Sequence, residues 1–405
     1  MSSIQKSHCR LCGGKLAPIL DFGHSTLANE LRSNKEQVQE EYPLVICKCE
    51  NCDSVQLKHT VDPKVLFANY SYESSAGLDV HFKEYAEHTF DLLDLNKDSF
   101  VVGIGGNIGQ LEKHYQNLGC KVLNIEPAEN IANKSFQNGV KTVCAFFNES
   151  LAEDIAVRYG KADVITSNNC FAHIDNLTEI LSGVKSLLSP SGFFIFENAY
   201  LLDTVRNTDL GQFYHEHLFY HSVKPLKLFF EKNGLKLVKI EYNQVQCGSF
   251  RIYATHDTHD VEFDDSIFTA IQTEEAMNLY DPSTYSRFSN KILDIKNRLE
   301  VLFDNIYCDR QRICMYGVPA KAVLILKLFN LSKYVLYAIE DAPNKIGKYV
   351  SGTNIKIYDS SYFKENPVEI CFVGAYNFAN SIINKNSWYK GAWIVPLPNV
   401  LVVNP

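Results

Sequence analysis

No window of the 405-residue chain approaches the ~20 consecutive apolar residues needed to cross a bilayer. The opening segment "MSSIQKSHCR" has no long apolar stretch of the kind that marks a secretory signal. Basic charge is also short. Lys and Arg number 39 against 47 Asp and Glu, a formal charge of −8, whereas nucleic-acid binding needs a positive field. Internal repeats, low-complexity tracts and flexible Gly/Ser linkers are missing too. These absences argue against a membrane protein and a nucleic-acid binder, and predict a cytoplasmic protein whose domains pack closely. The length predicts two or three domains, and 46% hydrophobic residues allow a sizeable core.

Five of the 12 cysteines crowd the first 52 residues: Cys9, Cys12, Cys47, Cys49 and Cys52. A disulfide framework is not expected in the cytosol. Cys9-x-x-Cys12 and Cys49-x-x-Cys52 each place two thiolates on one ion from a tight turn. Together they make a closed tetrahedral shell, which suits a structural zinc rather than a catalytic one. Cys47 competes with Cys49, but only Cys49 keeps the two-residue gap to Cys52.

The middle of the chain alternates β-rich and helical segments, which predicts a doubly wound parallel sheet with its ligand at the carboxyl ends of the strands. "SFVVGIGGNIGQLEKHYQNLGCKVLNIEP" reads as strand, Gly-rich turn, helix and strand, and further strands are expected at "ADVITSNN" and "GFFIFENAY". The turn, Gly103 to Gly109, suits a nucleotide-like cofactor, with Glu126 placed to accept hydrogen bonds from ribose hydroxyls. Gly105-x-Asn107-x-Gly109 departs from the dinucleotide fingerprint and is closer to the motif of S-adenosylmethionine (SAM) enzymes. In "CAFFNES", Phe146 or Phe147 is a candidate adenine wall or a core residue.

Three of the 12 histidines fall in "GQFYHEHLFYHS", residues 211–222, beside Tyr214 and Glu216. His215 and His217 with Glu216 suggest a metal site, but a third ligand is not evident, and His215 and His221 also suit a structural role. His173 in "NNCFAHID" is a pocket wall or a structural histidine. Arg251 in "GSFRIY" neutralises a phosphate or pairs with a carboxylate. In "YGVPAK", Gly317 permits close approach and Lys321 supplies charge, as in a phosphate-facing turn. Lys345 in "DAPNKIGK" is a weaker candidate for the same contacts.

In order along the chain, "CRLCGG", "DFGHSTLANEL", "CKCENC", "YSYESSAG", "GNIG", "NNCFAHI", "FENAY", "GQFYHEHLFYHS", "CGSFRIY", "YGVPAK" and "EDAPNKIGKYVSGTNIKIY" resemble the zinc-containing, SAM-dependent C-methyltransferases of nucleotide-linked 4-keto deoxysugars. The resemblance covers nearly the whole chain and implies a zinc-binding module (residues 1–65), a Rossmann-like class I methyltransferase core (66–300) and a C-terminal Rossmann-like α/β domain that helps hold the nucleotide (301–405). It implies a monomer. It also implies that Tyr72 and Ser75 touch SAM together with Gly105, Asn107, Gly109, Glu126 and Phe147. Tyr214, Glu216 and His217 would line the reacting sugar, and His173, Tyr200, Arg251, Lys321 and Lys345 would contact the substrate. Methylating a carbon beside a ketone needs an enolate, and His217 is the candidate base, since imidazole titrates near working pH. Two positions depart from the family. Gly103 replaces a strand-end acid and Ile108 replaces an aspartate, both of which help order the cofactor's polar end. Two other functions stay open: O-methylation of the same substrate class, and nucleotide-sugar binding without catalysis.

Overall fold

The computed structural model describes residues 3–67, 76–261 and 263–404. Three sheets of four or more strands organise the described residues. The N-terminal sheet pairs Leu16–Thr26, Glu41–Cys49 and Val55–Leu57 antiparallel, and Phe219–Tyr220 adds a fourth strand. That last strand comes from the histidine-rich stretch, far away in sequence. The short strands Ser3–Gln5 and His59–Val61 pair beside it.

The central sheet runs Leu235–Asn243, Ser249–His256, Leu188–Ala199, Ala162–Asn168, Phe100–Ile104, Lys121–Ile125 and Thr142–Val143. Leu188–Ala199 and the strands after it are parallel, and Ser249–His256 runs against both its neighbours. Phe100–Ile104 is buried on both faces, as an apolar, β-branched strand inside a parallel sheet must be. Strand order reverses between it and Ala162–Asn168, which opens a crevice at their carboxyl ends. Helices cover both faces. One of them, Glu149–Tyr159, is capped by Asn148 Oδ1 accepting from Leu151 N–H at 2.8 Å.

Pro282–Cys308 forms one 27-residue helix, with Asp281 as N-cap and Pro282 in its first turn. Tyr285, Phe288, Ile292, Ile295, Leu299, Phe303 and Ile306 make its buried stripe. Because that period never breaks, the helix runs straight through residue 300, where the sequence analysis puts a domain boundary. Beyond it lies the third sheet, ordered Lys356–Tyr358, Val335–Ile339, Ile313–Tyr316, Ile370–Val373, Ala392–Val395 and Leu401–Val403, parallel except for the last strand. No helix among the described residues is long and apolar enough to cross a membrane.

Candidate active site

The Gly-rich turn follows Phe100–Ile104 and bends with positive φ at Gly105 (65°), Asn107 (53°) and Gly109 (75°). Gly105 N–H donates to Ile125 O at 2.8 Å, which holds the turn against the next strand. Glu126, at that strand's end, accepts from Asn107 N–H (3.2 Å) and Ala128 N–H (2.9 Å). Burial raises its pKa. A cleft of about 190 Å³ opens here, lined by Gly105, Asn107, Glu126, Phe146, Phe147 and His173 among others. Gly109 sits behind it as the N-cap of Gln110–Asn117, facing Ser135 and Val140. The cleft suits SAM. Phenylalanines wall one part, the Glu126 carboxylate lines another, and Asn168 Oδ1 and Glu112 Oε2 are buried acceptors with no donor among the described residues. Tyr72 and Ser75 lie outside the described residues.

His217 sits in the turn before Phe219–Tyr220, with its ring 4.1 Å from that of Tyr214 and 5.0 Å from that of His173. Its Nδ1 lies 2.7 Å from Gln212 O. A carbonyl only accepts, so Nδ1 carries the hydrogen and Nε2 keeps its lone pair. Burial pushes the pKa down to about 4, against the raising effect of the bond to Gln212 and aided by the Lys321 ammonium. The ring is therefore neutral at pH 7. A small pocket holds His217 with Asn198 and Tyr220, and Asn169 lines both this pocket and the cofactor cleft.

All three parts of the chain contribute to this place. Asn29 Nδ2 donates to Glu216 Oε1 at 2.7 Å from the N-terminal module. Lys321, 7% exposed, enters from the C-terminal part, and its Nζ has no hydrogen-bond partner among the described residues. That ammonium lies 5.0 Å from the centre of the Tyr376 ring. Gly211 lets the Lys321 helix, Ala320–Leu328, approach, because a Cβ there would come within 2.5 Å of Lys321 Cβ. Asn29, Asn169, Asn198 and Tyr220 lie inside the quoted motifs "DFGHSTLANEL", "NNCFAHI", "FENAY" and "GQFYHEHLFYHS", but the sequence assigns them no role. Only their convergence in space brings them into the site.

Other candidates are engaged elsewhere. Arg251 pairs with Glu197 at 2.9 Å and lies 3.5 Å over the Tyr85 ring, so of its two expected roles the structure shows the carboxylate pair. Tyr200 donates to buried Glu274 at 2.8 Å rather than facing the His217 pocket. Lys345 donates to Val318 O (2.9 Å) and pairs with Glu340 (3.3 Å). None of the three is among the described residues that line the cleft or the His217 pocket. His215 donates to Tyr42 O at 3.1 Å, and the His221 ring centre lies 5.6 Å from that of Phe171 and 5.5 Å from that of Phe219. Both rings are buried among these neighbours, and His221 Nε2 has no hydrogen-bond partner among the described residues. Glu216 does not complete a metal-ligand set with His215 and His217 among the described residues.

Cys9, Cys12, Cys49 and Cys52 bring their sulfurs within 4.8 Å of one another. Cys9–Cys52 and Cys12–Cys49 are 3.7 and 3.5 Å apart, close to the ~3.8 Å edge of a tetrahedron with Zn–S bonds of about 2.3 Å. Backbone N–H groups of Leu11, Gly14 and Asn51 point at three of the sulfurs. The donor set fits zinc, and Cys47 stays outside it. The first knuckle also braces the cofactor cleft. Arg10 Nε donates to Asp175 at 2.7 Å, and Lys6 and Thr60 join the same carboxylate at 2.7 and 2.8 Å.

Three family models match in sequence order: "Putative zinc binding domain" over 9–67, "Methyltransferase domain" over 81–240 and "C-methyltransferase C-terminal domain" over 244–398. The C-methyltransferase NovU of Streptomyces niveus is 28% identical over 405 residues, 98% of this chain and 96% of that protein. Among solved structures, magnesium protoporphyrin IX methyltransferase of Synechocystis PCC 6803 with bound SAH is 16% identical, covering 46% of this chain and 90% of that one, with a TM-score of 0.34. A S-adenosylmethionine-dependent methyltransferase of Clostridium acetobutylicum is 12% identical, covering 48% and 95%, with a TM-score of 0.35. The assignment rests on the three models and the end-to-end relative. The chain belongs to the zinc-containing, SAM-dependent C-methyltransferases, with SAM and zinc as its cofactors.

Proposed function

We propose that the acceptor is a carbon, C3, of a nucleotide-linked 4-keto-6-deoxy sugar, and that His217 makes it nucleophilic. The observation that carries this reading is a neutral imidazole with its Nδ1 hydrogen fixed on Gln212 O, in a pocket that shares Asn169 with the cofactor cleft. Nε2 takes the proton from the carbon beside the ketone, leaving an enolate. Bound SAM supplies an activated methyl group, whose C–S bond breaks as the new C–C bond forms. The proton stays on His217 until it is passed to water. Tyr220 has a buried hydroxyl with no partner among the described residues and lines the same pocket, so it suits a hydrogen bond to the developing enolate oxygen. Asn29 orients Glu216, and Lys321, whose ammonium has no hydrogen-bond partner among the described residues, suits the diphosphate.

The test is a panel of nucleotide-linked 4-keto sugars with SAM, with the methylated atom located by mass and NMR analysis. Methylation on carbon supports the reading, whereas an O-methyl product or no turnover across the panel rejects it. His217→Asn should lower turnover about 10²–10⁴-fold while SAM affinity is kept. Near-normal turnover would remove His217 as the base.

A further inference from the structure

The strand that leads into the glycine turn ends without an acid, and the helix that follows supplies one. Glu112, in the first turn of Gln110–Asn117, is 1% exposed and lines the cofactor cleft. Its carboxylate lies back over the turn. A Cβ at position 103 would overlap Glu112 Oε1, and one at 106 would lie 2.8 Å from the same oxygen. Only glycines at those two places leave room for it. Its other oxygen, Oε2, is buried and has no hydrogen-bond partner among the described residues.

Burying a carboxylate is costly, and burial raises the Glu112 pKa to about 7, with repulsion from Glu126 added and hydrogen bonds from backbone N–H and Thr166 only partly offsetting it. No cation among the described lining residues relieves it. The described lining of the cleft includes Glu112, Glu126 and Asp175 but no lysine or arginine. Asp175 is already paired with Arg10 and Lys6, and Glu126 accepts from two backbone N–H groups. SAM carries an ammonium group on its amino-acid tail. We propose that Glu112 receives this ammonium, so that a helix residue does the work usually given to an acid at position 103. Gly103 is then the space that lets Glu112 fold inward rather than a lost contact. The inference concerns the cofactor alone and holds for any acceptor.

The test is titration calorimetry on the full chain with two ligands: S-adenosylhomocysteine, which has the ammonium tail, and 5′-methylthioadenosine, which lacks it. Glu112→Gln should weaken S-adenosylhomocysteine by about 10- to 100-fold and leave methylthioadenosine within about twofold. Gly103→Asp alone should also weaken S-adenosylhomocysteine, since two carboxylates would share space for one. Gly103→Asp combined with Glu112→Ala moves the acid back to the strand and should recover most of the affinity. Unchanged S-adenosylhomocysteine binding in Glu112→Gln, or an equal loss for both ligands, overturns the proposal. If Glu112→Gln does not fold, the double variant decides: failure to bind S-adenosylhomocysteine better than Gly103→Asp alone sinks it.

Discussion

Two regions of this chain use one device and put it to different ends. In residues 100–126 and again in 313–340, a buried strand enters a glycine turn, a helix follows, and the neighbouring strand ends in a glutamate. Glu126 accepts from Asn107 N–H at 3.2 Å, and Glu340 accepts from Val318 N–H at 3.0 Å. Each glycine turn also donates to that neighbouring strand, Gly105 to Ile125 O and Gly317 to Ile339 O, both at 2.8 Å. What differs is the occupant. Lys345 lies across the second turn, on Val318 O and Glu340, whereas the first turn faces an open cleft with buried acceptors that lack donors. A strand–turn–helix motif therefore defines a place where a nucleotide can sit, and the next loop decides whether it is kept open. In the second region Lys321, near the start of the helix Ala320–Leu328, is close enough to His217 to oppose its protonation.

The strongest way to break this comparison is a matched pair of glycine replacements. Gly105→Ala forces a side chain into positive φ and against Cys170, and should cost at least about 100-fold in S-adenosylhomocysteine affinity. Gly317→Ala likewise forces a side chain into positive φ, here 84°, and meets Ala375 Cβ at 2.5 Å. It should cost about 1–3 kcal/mol of stability while the folded protein binds as before. Calorimetry and thermal melts separate the two outcomes, and a lost cofactor affinity in Gly317→Ala would refute the division of labour.

Acid should distinguish the regions next. Residues 301–405 contain no histidine, while burial pushes His215 and His217 down to about 4 and His221 to about 3. Unfolded imidazoles titrate near 6.5, so between these values the unfolded chain binds more protons. Their contribution to stability is full above about pH 6.5 and is lost as pH falls towards 4. Hydrogen exchange along an acid titration should show the histidine-rich region loosening before the C-terminal sheet. For activity, the acid limb should lie near pH 4. Lys321→Met should move it upward, because the charge opposing protonation of His217 is gone; an unmoved limb would mean the two groups do not communicate.

The smallest effect concerns the plug. Lys345→Met leaves Glu340, itself only 14% exposed on its side chain, without its cation, and should lower stability by about 1 kcal/mol. S-adenosylhomocysteine affinity should not change. If the variant gained a second nucleotide site by calorimetry, Lys345 would be a gate rather than a structural pin.

Much of the site was legible where chemistry follows local spacing. The two CxxC pairs bring four sulfurs to one point, and the turn with Glu126 twenty residues on opens into a cleft. Local reading could not choose where a side chain had several partners available. Arg251, Tyr200 and Lys345 carry the right groups for substrate, but Glu197, Glu274 and Glu340 lie beside them in the fold. No local spacing marks Glu112, and only its turn over Gly103 shows that it is buried in the cleft.

By itself the sequence determined the alternating elements, the metal set and the glycine turns, because strand period, thiolate pairing and positive φ are properties of a few neighbouring residues. Tertiary structure alone decided that Asn29, His217 and Lys321 converge, that Phe219–Tyr220 completes the N-terminal sheet, and that one turn is open and the other filled. Those outcomes depend on which buried polar groups find partners across hundreds of residues, and that competition is settled only when the domains pack.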